Sequence, residues 1–316
     1  MSKGLFLQNV IAVIWDFDKT LSPHYMQTPL FAHYGIDEEQ FWREVNALPA
    51  YYARAGITVQ RDTCYLGHLL TYVRAGIMRG LSNALLAELG AHIRFYDGIP
   101  AIFARLKAIL EQPQYLDGDL RLEHYVVSTG LAAMIRGSAV APLLSGIFAS
   151  EFIESPAPPR FDPAATPAPG EITQIAGFLD NTTKTRAIFE INKGVNKHPD
   201  ISVNNTMPEE ERRVPIRNMI YVADGPSDIP SFSVVRRYGG LAYAVYQPGS
   251  AAHFAQVDEL QRTGRVDAYG PADYSEGSQT DMWLHRQVTR IADRMLRDRR
   301  QVLDSRVGRG PEHDVG

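Results

Sequence analysis

The 316-residue sequence contains a single cysteine, Cys64. One thiol cannot form a disulfide within the chain, nor can it build a metal site that requires several cysteines. We therefore expect a reducing compartment and predict a cytoplasmic location. Cys64 itself is expected to be a small, buried apolar side chain and not a nucleophile.

Long apolar runs and a strong charge of either sign are also missing. No stretch reaches the roughly 18 to 20 consecutive apolar residues of a membrane helix. The apolar run at residues 10–15 lacks the cleavage site of a signal peptide. The formal net charge is −4, which leaves no broad basic surface for nucleic acid. We expect neither membrane insertion nor nucleic-acid binding.

The apolar content of 45% is ample for a core, and the clearest core element is the run at residues 10–15. Its six apolar residues, mostly β-branched, predict a strand buried on both faces. Asp16 and Asp18 follow directly, where ligands of open α/β sheets bind. A calcium loop is excluded because Leu21 and Gln27 occupy the positions that need Gly and Glu.

The segment after this strand has the apolar spacing of helices instead of strands. We predict a helical cap domain at residues 22–96, inserted into an α/β core domain made of residues 1–21 and 97–305. Residues 306–316 are predicted to be a disordered tail. The helical spacing is clearest in three segments: residues 38–47, 63–75 and 82–95.

Further buried strands are predicted at residues 123–127, 147–153, 218–223 and 240–246, with a short edge strand at residues 264–268. Helical patterns separate most of them, so the expected fold is an α/β, doubly wound, Rossmann-like and mainly parallel sheet. A proline-rich stretch, residues 156–170, is predicted to be a long loop of the core.

Polar residues end the strands of this predicted sheet. Ser128, Thr129 and Gly130 follow one strand, and Asp224 and Asp228 follow another. Lys184 begins a helix between them. Because the carboxyl ends of the strands converge on one crevice, these residues are expected to lie near Asp16 and Asp18.

The order of these residues resembles the haloacid dehalogenase superfamily, which consists mainly of phosphohydrolases. Its four motifs correspond here to Asp16-x-Asp18-x-Thr20, Ser128, Lys184 and Asp224-Gly-x-x-Asp228, and the resemblance covers about residues 9 to 250. The chain more closely resembles the phosphoserine-phosphatase-like branch, and the helical insert looks like that branch's C1-type cap.

The resemblance implies a Mg²⁺-dependent phosphohydrolase that acts on a small phosphorylated metabolite through an aspartyl-phosphate. Asp16 is the implied nucleophile, and Asp18 the acid and base. Lys184 supplies positive charge and, with Ser128, Thr129 and Gly130, binds the phosphate. The implied metal ligands are the carboxylates of Asp16 and Asp224 and the backbone carbonyl of Asp18, with Asp228 as a further or indirect ligand.

Several alternatives remain open at this stage. Lys193 is a rival for the role of Lys184, although a lysine at a helix end commonly complements the helix dipole. The same intermediate would serve a phosphotransferase or phosphomutase, and a silent phosphometabolite-binding module is a third possibility. The acid at Asp18 argues against carbon–halogen hydrolysis, because the dehalogenases of the superfamily lack it.

The substrate and the oligomeric state are not predicted. His24 and Tyr25 are the first candidates for contacting the substrate, because they directly follow the first motif. Arg54, Arg61, His68, Tyr72 and Arg74 are further candidates in the insert.

Overall fold

The computed structural model describes residues 8–116 and 118–307, and a seven-stranded sheet forms its centre. The strands are β1 (Val10–Trp15), β2 (Arg121–Leu131), β3 (Gly146–Ile153), β4 (Gln174–Gly177), β5 (Met219–Ala223), β6 (Leu241–Tyr246) and β7 (Ala268–Pro271). Their order across the sheet is β4-β3-β2-β1-β5-β6-β7. Every neighbouring pair is parallel except β3 and β4.

Helices lie between the strands and against the sheet. Those at residues 28–116 separate β1 from β2, and those at residues 132–262 connect later strands. The α-helices are α1 (Thr28–Tyr34), α2 (Glu38–Ala53), α3 (Cys64–Arg74), α4 (Asn83–Gly90), α5 (Ala101–Ala108), α6 (Pro113–Leu116), α7 (Ala132–Gly137), α8 (Lys184–Lys193), α9 (Ile229–Arg237), α10 (Ala251–Arg262) and α11 (Gln279–Val307).

Strand β1 is buried along its whole length, as its apolar sequence predicts. Ile11, Val13 and Trp15 join an apolar cluster that includes residues of α1 to α5 and α11. The alternate residues of β1 join a second cluster, which includes residues of α8, α9 and α10. Helices therefore cover both faces, and the predicted doubly wound α/β fold is confirmed.

The helical insert begins and ends at one place. The amide of Tyr96 donates to the carbonyl of Leu21 at 3.0 Å, and the amide of Tyr274 donates to the carbonyl of Asp97 at 2.8 Å. Gly98 has a φ of +85°, and a Cβ there would lie 2.0 Å from the backbone of Tyr274. This packing requires glycine. The division into cap and core domains at these residues stays a prediction.

Three local predictions differ from the structure. The edge strand predicted at residues 264–268 is wrong, because that strand is β7 at Ala268–Pro271. Residues 128–130, predicted to follow a strand, lie within β2, where the pairing with β3 shifts register. The antiparallel strand β4 was not predicted.

The proline-rich stretch at residues 156–170 contains neither helix nor strand, as expected. The predicted disordered tail at residues 306–316 lies outside the described residues except for its first two, which continue α11. Within the described ranges, no helix combines the length and low polarity needed to cross a lipid bilayer.

Candidate active site

Carboxylates gather where the two central strands β1 and β5 end. Asp16 directly follows β1, Asp224 directly follows β5, and Asp228 ends the turn before α9. The amide of Asp16 donates to the carbonyl of Val222 on β5 at 2.9 Å, so the pairing of the strands fixes the position of Asp16. One side-chain oxygen each from Asp16, Asp224 and Asp228 lies within 4.8 Å of the others.

Lys184 provides positive charge within this acidic cluster. It is the first residue of α8, and its side chain is buried. Its Nζ lies 2.7 Å from Oδ1 of Asp16 and 2.8 Å from Oδ1 of Asp228. Burial disfavours the ammonium charge, but the two carboxylates outweigh burial and hold the pKa of Lys184 well above its usual range.

The rival lysine lies elsewhere. Nζ of Lys193 donates to the carbonyls of Val203 and Asn205, each at 2.6 Å, at the opposite end of α8. Lys193 therefore fastens a surface loop, whereas Lys184 is the lysine in the carboxylate cluster.

Asp16 and Asp18 differ in their environments. Burial raises the pKa of Asp16 to about 6, against the opposing charge of Lys184. Burial and then the charge of Asp16 raise the pKa of Asp18 to about 8. Oδ1 of Asp18 accepts a hydrogen bond from the amide of Met26 at 2.8 Å. Of the two acids, Asp18 therefore has the more strongly raised pKa.

The acidic cluster fits a divalent cation. Among the described residues, the carboxylate of Asp224 has no hydrogen-bond partner, and burial followed by the charge of Asp16 raises its pKa to about 7. Lys184 balances only part of the charge, since three carboxylates meet there. Oxygen donors of this kind suit a hard cation such as Mg²⁺.

A cavity of about 560 Å³ opens above these residues. Asp16, Asp18, Lys184 and Asp224 line it, together with the predicted phosphate-binding residues Ser128, Thr129 and Gly130. We call this cavity the catalytic crevice.

The predicted phosphate-binding segment is already organised in this structure. Oγ of Ser128 accepts a hydrogen bond from the amide of Gly130 at 3.0 Å. The carbonyl of Thr129 accepts one from the hydroxyl of Tyr65 at 2.7 Å, which joins the helical insert to the segment. A phosphate oxygen at the Gly130 amide would have to share or replace the bond to Ser128.

The two predicted substrate residues occupy different places. Tyr25 lines the catalytic crevice, where its hydroxyl accepts a hydrogen bond from Nζ of Lys19 at 3.0 Å. His24 lines a neighbouring cavity and is not among the residues that line the crevice. Arg61 also lines the crevice.

His68 and Tyr72, two other candidates of the insert, both bind the carboxylate of Glu44, at 2.8 and 2.7 Å. The positions of both side chains are therefore explained by hydrogen bonds within the insert. Sequence reasoning missed several polar and aromatic residues that line the crevice, because they belong to no recognisable motif: Gln27, Trp42, Asn46, Tyr65, Asn181 and Ser227.

All four predicted motifs therefore meet at one end of the sheet. The first follows β1, the second lies in β2, the third begins α8 and the fourth follows β5. The fold places them in a single crevice with a buried lysine among carboxylates. This is the arrangement that the resemblance to the haloacid dehalogenase superfamily implies.

Comparison with known proteins gives one sequence relative at high coverage. A protein of Borreliella burgdorferi, described as an uncharacterized protein, is 33% identical over 287 residues, which span 89% of this chain and 97% of that one. The two proteins belong to one family. No family model matches the chain.

Haloacid dehalogenase structures also appear among the solved structures that are similar in fold. A haloacid dehalogenase family hydrolase of Salmonella enterica has a TM-score of 0.45 and 14% identity, over 76% of this chain and 63% of that one. This chain therefore spans less than two thirds of the Salmonella protein. A phosphoserine phosphatase with a phospho-aspartyl analogue has a TM-score of 0.45 and 16% identity, over 83% and 93% of the chains. Sequence identities and TM-scores as low as these identify no activity for this chain.

Proposed function

We propose that the protein is a Mg²⁺-dependent phosphohydrolase that acts on a small phosphomonoester through an aspartyl-phosphate. The observation that carries this proposal is the pair Asp16 and Asp18. Asp16 lies 2.7 Å from the ammonium of Lys184, Asp18 has the more strongly raised pKa, and both line the same crevice. A nucleophilic carboxylate and a neighbouring acid are the two groups that such a reaction needs.

In the first step, an oxygen of Asp16 attacks the phosphorus of the substrate. A phosphorus–oxygen bond to Asp16 forms while the bond to the leaving alcohol breaks. Asp18 gives its proton to the leaving oxygen, so the alcohol departs neutral. Thr20 restrains the nucleophile, since its Oγ1 lies 3.2 Å from Oδ2 of Asp16.

In the second step, the now ionised Asp18 takes a proton from a water molecule. That water attacks the phosphorus, and the bond to Asp16 breaks. Inorganic phosphate is released, and Asp16 and Asp18 return to their starting states. The raised pKa of Asp18 suits both the donation and the removal of a proton near neutral pH.

Positive charge must balance the phosphoryl group throughout. Lys184 lies against Asp16 and would place its ammonium beside the transferring group. The carboxylates of Asp16 and Asp224 and the backbone carbonyl of Asp18 would hold Mg²⁺, with Asp228 supporting them. The ion, when bound, neutralises charge on the phosphoryl oxygens.

The helical insert is proposed to act as a cap of the C1 type. Two contacts support this role: Tyr65 donates to the carbonyl of Thr129, and Nε2 of Gln60 donates to Oδ2 of Asp180 at 2.6 Å. Both join the insert to core segments beside the crevice. Trp42 and Arg61 of the insert would then face the leaving group.

Release of inorganic phosphate tests the proposal. Wild-type protein with Mg²⁺ should hydrolyse a generic aryl phosphate, and Asp16→Asn should reduce the rate at least about a thousandfold, because the nucleophile is lost. Asp200→Asn, an exposed carboxylate away from the crevice, is the control and should retain full activity. Full activity in Asp16→Asn would exclude the mechanism.

Product analysis on a panel of phosphorylated sugars, amino acids, choline-type esters and nucleotides then identifies the substrate. Free phosphate in the product supports hydrolysis. An isomerised phosphate ester, or phosphate passed to a second alcohol, would instead show a mutase or phosphotransferase.

A further inference from the structure

Four arginines line a cavity far from the catalytic crevice. Arg217, Arg290, Arg294 and Arg297 surround a space of about 410 Å³ between α11 and the segments that lead into β5 and β6. The catalytic carboxylates follow the carboxyl end of β5, whereas Arg217 precedes its amino end. The five residues of β5 separate the two sites by roughly 16 Å.

The four arginines of this cavity form no ion pair with the residues that the structure describes. The one carboxylate that lines the cavity, Asp293, accepts a hydrogen bond from the hydroxyl of Tyr115 at 2.7 Å.

Arg294 forms the inner wall of the cavity. Its Nη2 donates to the carbonyl of Arg217 at 2.6 Å and to Oδ1 of Asn218 at 2.7 Å. Its Nε is buried and has no hydrogen-bond partner among the described residues. Burial, and then the charge of Arg217, lower the pKa of Arg294, and together they outweigh the opposing charge of Asp298.

The helix dipole does not account for this arrangement of arginines. Arg290, Arg294 and Arg297 are spaced by four and three, so they share one face of α11. They lie in the middle of that helix, whereas the helix dipole favours cations only in the last turn. Arg290 and Arg297 are exposed at the rim of the cavity, whereas Arg294 between them is half-buried. On the other side of the cavity, a Cβ added at Gly239 would lie 3.5 Å from Cβ of Arg217.

We propose that this cavity, the arginine pocket, binds a small free polyanion that carries two phosphate or carboxylate groups. Guanidinium groups bind such groups through paired hydrogen bonds, and an anion would remove the repulsion among the arginines. The volume lies within the range of small-molecule sites. The site is independent of the proposed phosphatase reaction.

Binding of methylenediphosphonate, a non-hydrolysable probe with two anionic groups, tests the proposal by calorimetry in EDTA. The test variant is Arg290→Gln/Arg297→Gln. The matched control is Arg286→Gln/Arg300→Gln, which removes two exposed arginines from the same helix that do not line the pocket. Any binding of the probe in the catalytic crevice is the same in all three proteins, so it does not affect the comparison of their affinities.

We expect the test variant to bind at least tenfold more weakly than the wild type, and the control to bind as the wild type does. The affinity of the wild type should fall as salt is added. Equal affinity in the wild type and the test variant would overturn the proposal, as would an equal loss in the control. If the wild type sediments with anionic phospholipid vesicles but does not bind the probe, the proposal is also overturned, because the arginines would then bind a lipid surface.

Discussion

Trp15 and Asp16 are neighbours in the chain but belong to two contrasting buried polar clusters. Nε1 of Trp15 donates to Nδ1 of His124 at 3.2 Å, and Nε2 of His124 lies 3.0 Å from the carbonyl of Phe103. This cluster is neutral, and each of these ring nitrogens has a partner. Asp16, one residue on, joins a charged cluster.

The two clusters differ in what they cost the folded state. A neutral, fully bonded network costs little to bury, whereas burial, and after it the repulsion between neighbouring carboxylates, raises the pKa values of the gathered acids. A protein keeps such a destabilising arrangement where activity requires it. The four predictions that follow test this contrast, from the largest expected effect to the smallest.

Removing Lys184 should have the largest effect on stability. Lys184→Met leaves Asp16 and Asp228 buried without their counter-charge, which should lower the free energy of unfolding by about 3 to 5 kcal/mol at neutral pH. Urea denaturation in EDTA measures the change. Lys193→Met is the control at the other end of α8 and should cost much less. Equal losses of unfolding free energy in Lys184→Met and Lys193→Met would show that the counter-charge in the buried cluster adds nothing beyond an ordinary lysine contact.

Mg²⁺ should stabilise the charged cluster and not the neutral one. A hundredfold excess over the dissociation constant should add about 2.7 kcal/mol to the free energy of unfolding, because the ion binds only the folded state. Thermal unfolding with and without EDTA measures this gain. Asp224→Asn should abolish it, and Glu111→Gln, an exposed acid elsewhere, should keep it. A gain that persists in Asp224→Asn would contradict the metal site.

The neutral cluster should make stability depend on pH. Burial lowers the pKa of His124 from 6.5 to about 3, so between these values the unfolded chain binds the extra proton. This contribution is complete above pH 6.5 and is lost as pH falls towards 3, with a loss on the order of 2 kcal/mol at pH 5. Denaturation from pH 7 to pH 4 measures the slope.

His124→Gln isolates this contribution, because glutamine can accept from Trp15 and donate to Phe103 without titrating. The acidic residues change stability with pH in the opposite direction, and they do so equally in both proteins. The difference in unfolding free energy between the wild type and His124→Gln therefore isolates the contribution of His124. An unchanged difference across this pH range would show that His124 does not titrate as expected.

The smallest effect should come from Tyr221, whose hydroxyl donates to Oδ1 of Asp228 at 2.8 Å. Tyr221→Phe should lower the free energy of unfolding by about 1 kcal/mol, since Lys184 still binds the same oxygen. Tyr243→Phe, which removes a hydroxyl 3.1 Å from Oγ1 of Thr280, is the uncharged counterpart. A much larger loss in Tyr221→Phe would mean that the charged cluster depends on every one of its hydrogen bonds.

The sequence predicts the central strands and the meeting of the motifs for a clear physical reason. A run of apolar residues can only be buried on both faces, and parallel strands bring their carboxyl ends to one edge. The site could therefore be predicted from Asp16, Ser128, Lys184 and Asp224 before any distance was known.

Other features have no such local signal. The four residues of β4 are all exposed, so apolar periodicity cannot reveal the strand. Gln27 and Trp42 reach the crevice through the packing of the insert, which no spacing rule specifies. The arginines of α11 look like a solvated face in sequence, because the residues that share their cavity, Arg217 and Gly239, lie more than fifty residues earlier.

The single hydrogen bond between Leu21 and Tyr96 has an evolutionary consequence. The segment between them leaves the core and returns to it at one point, so its length can change without altering the pairing of β1 with its neighbours. Helices α1 to α4 of the insert also share an apolar cluster with β1, so any change must keep their apolar faces. If the protein is the proposed phosphohydrolase, a new substrate preference can arise at the residues of the insert that line the crevice. The strands that hold Asp16 and Asp224 would be inherited unchanged.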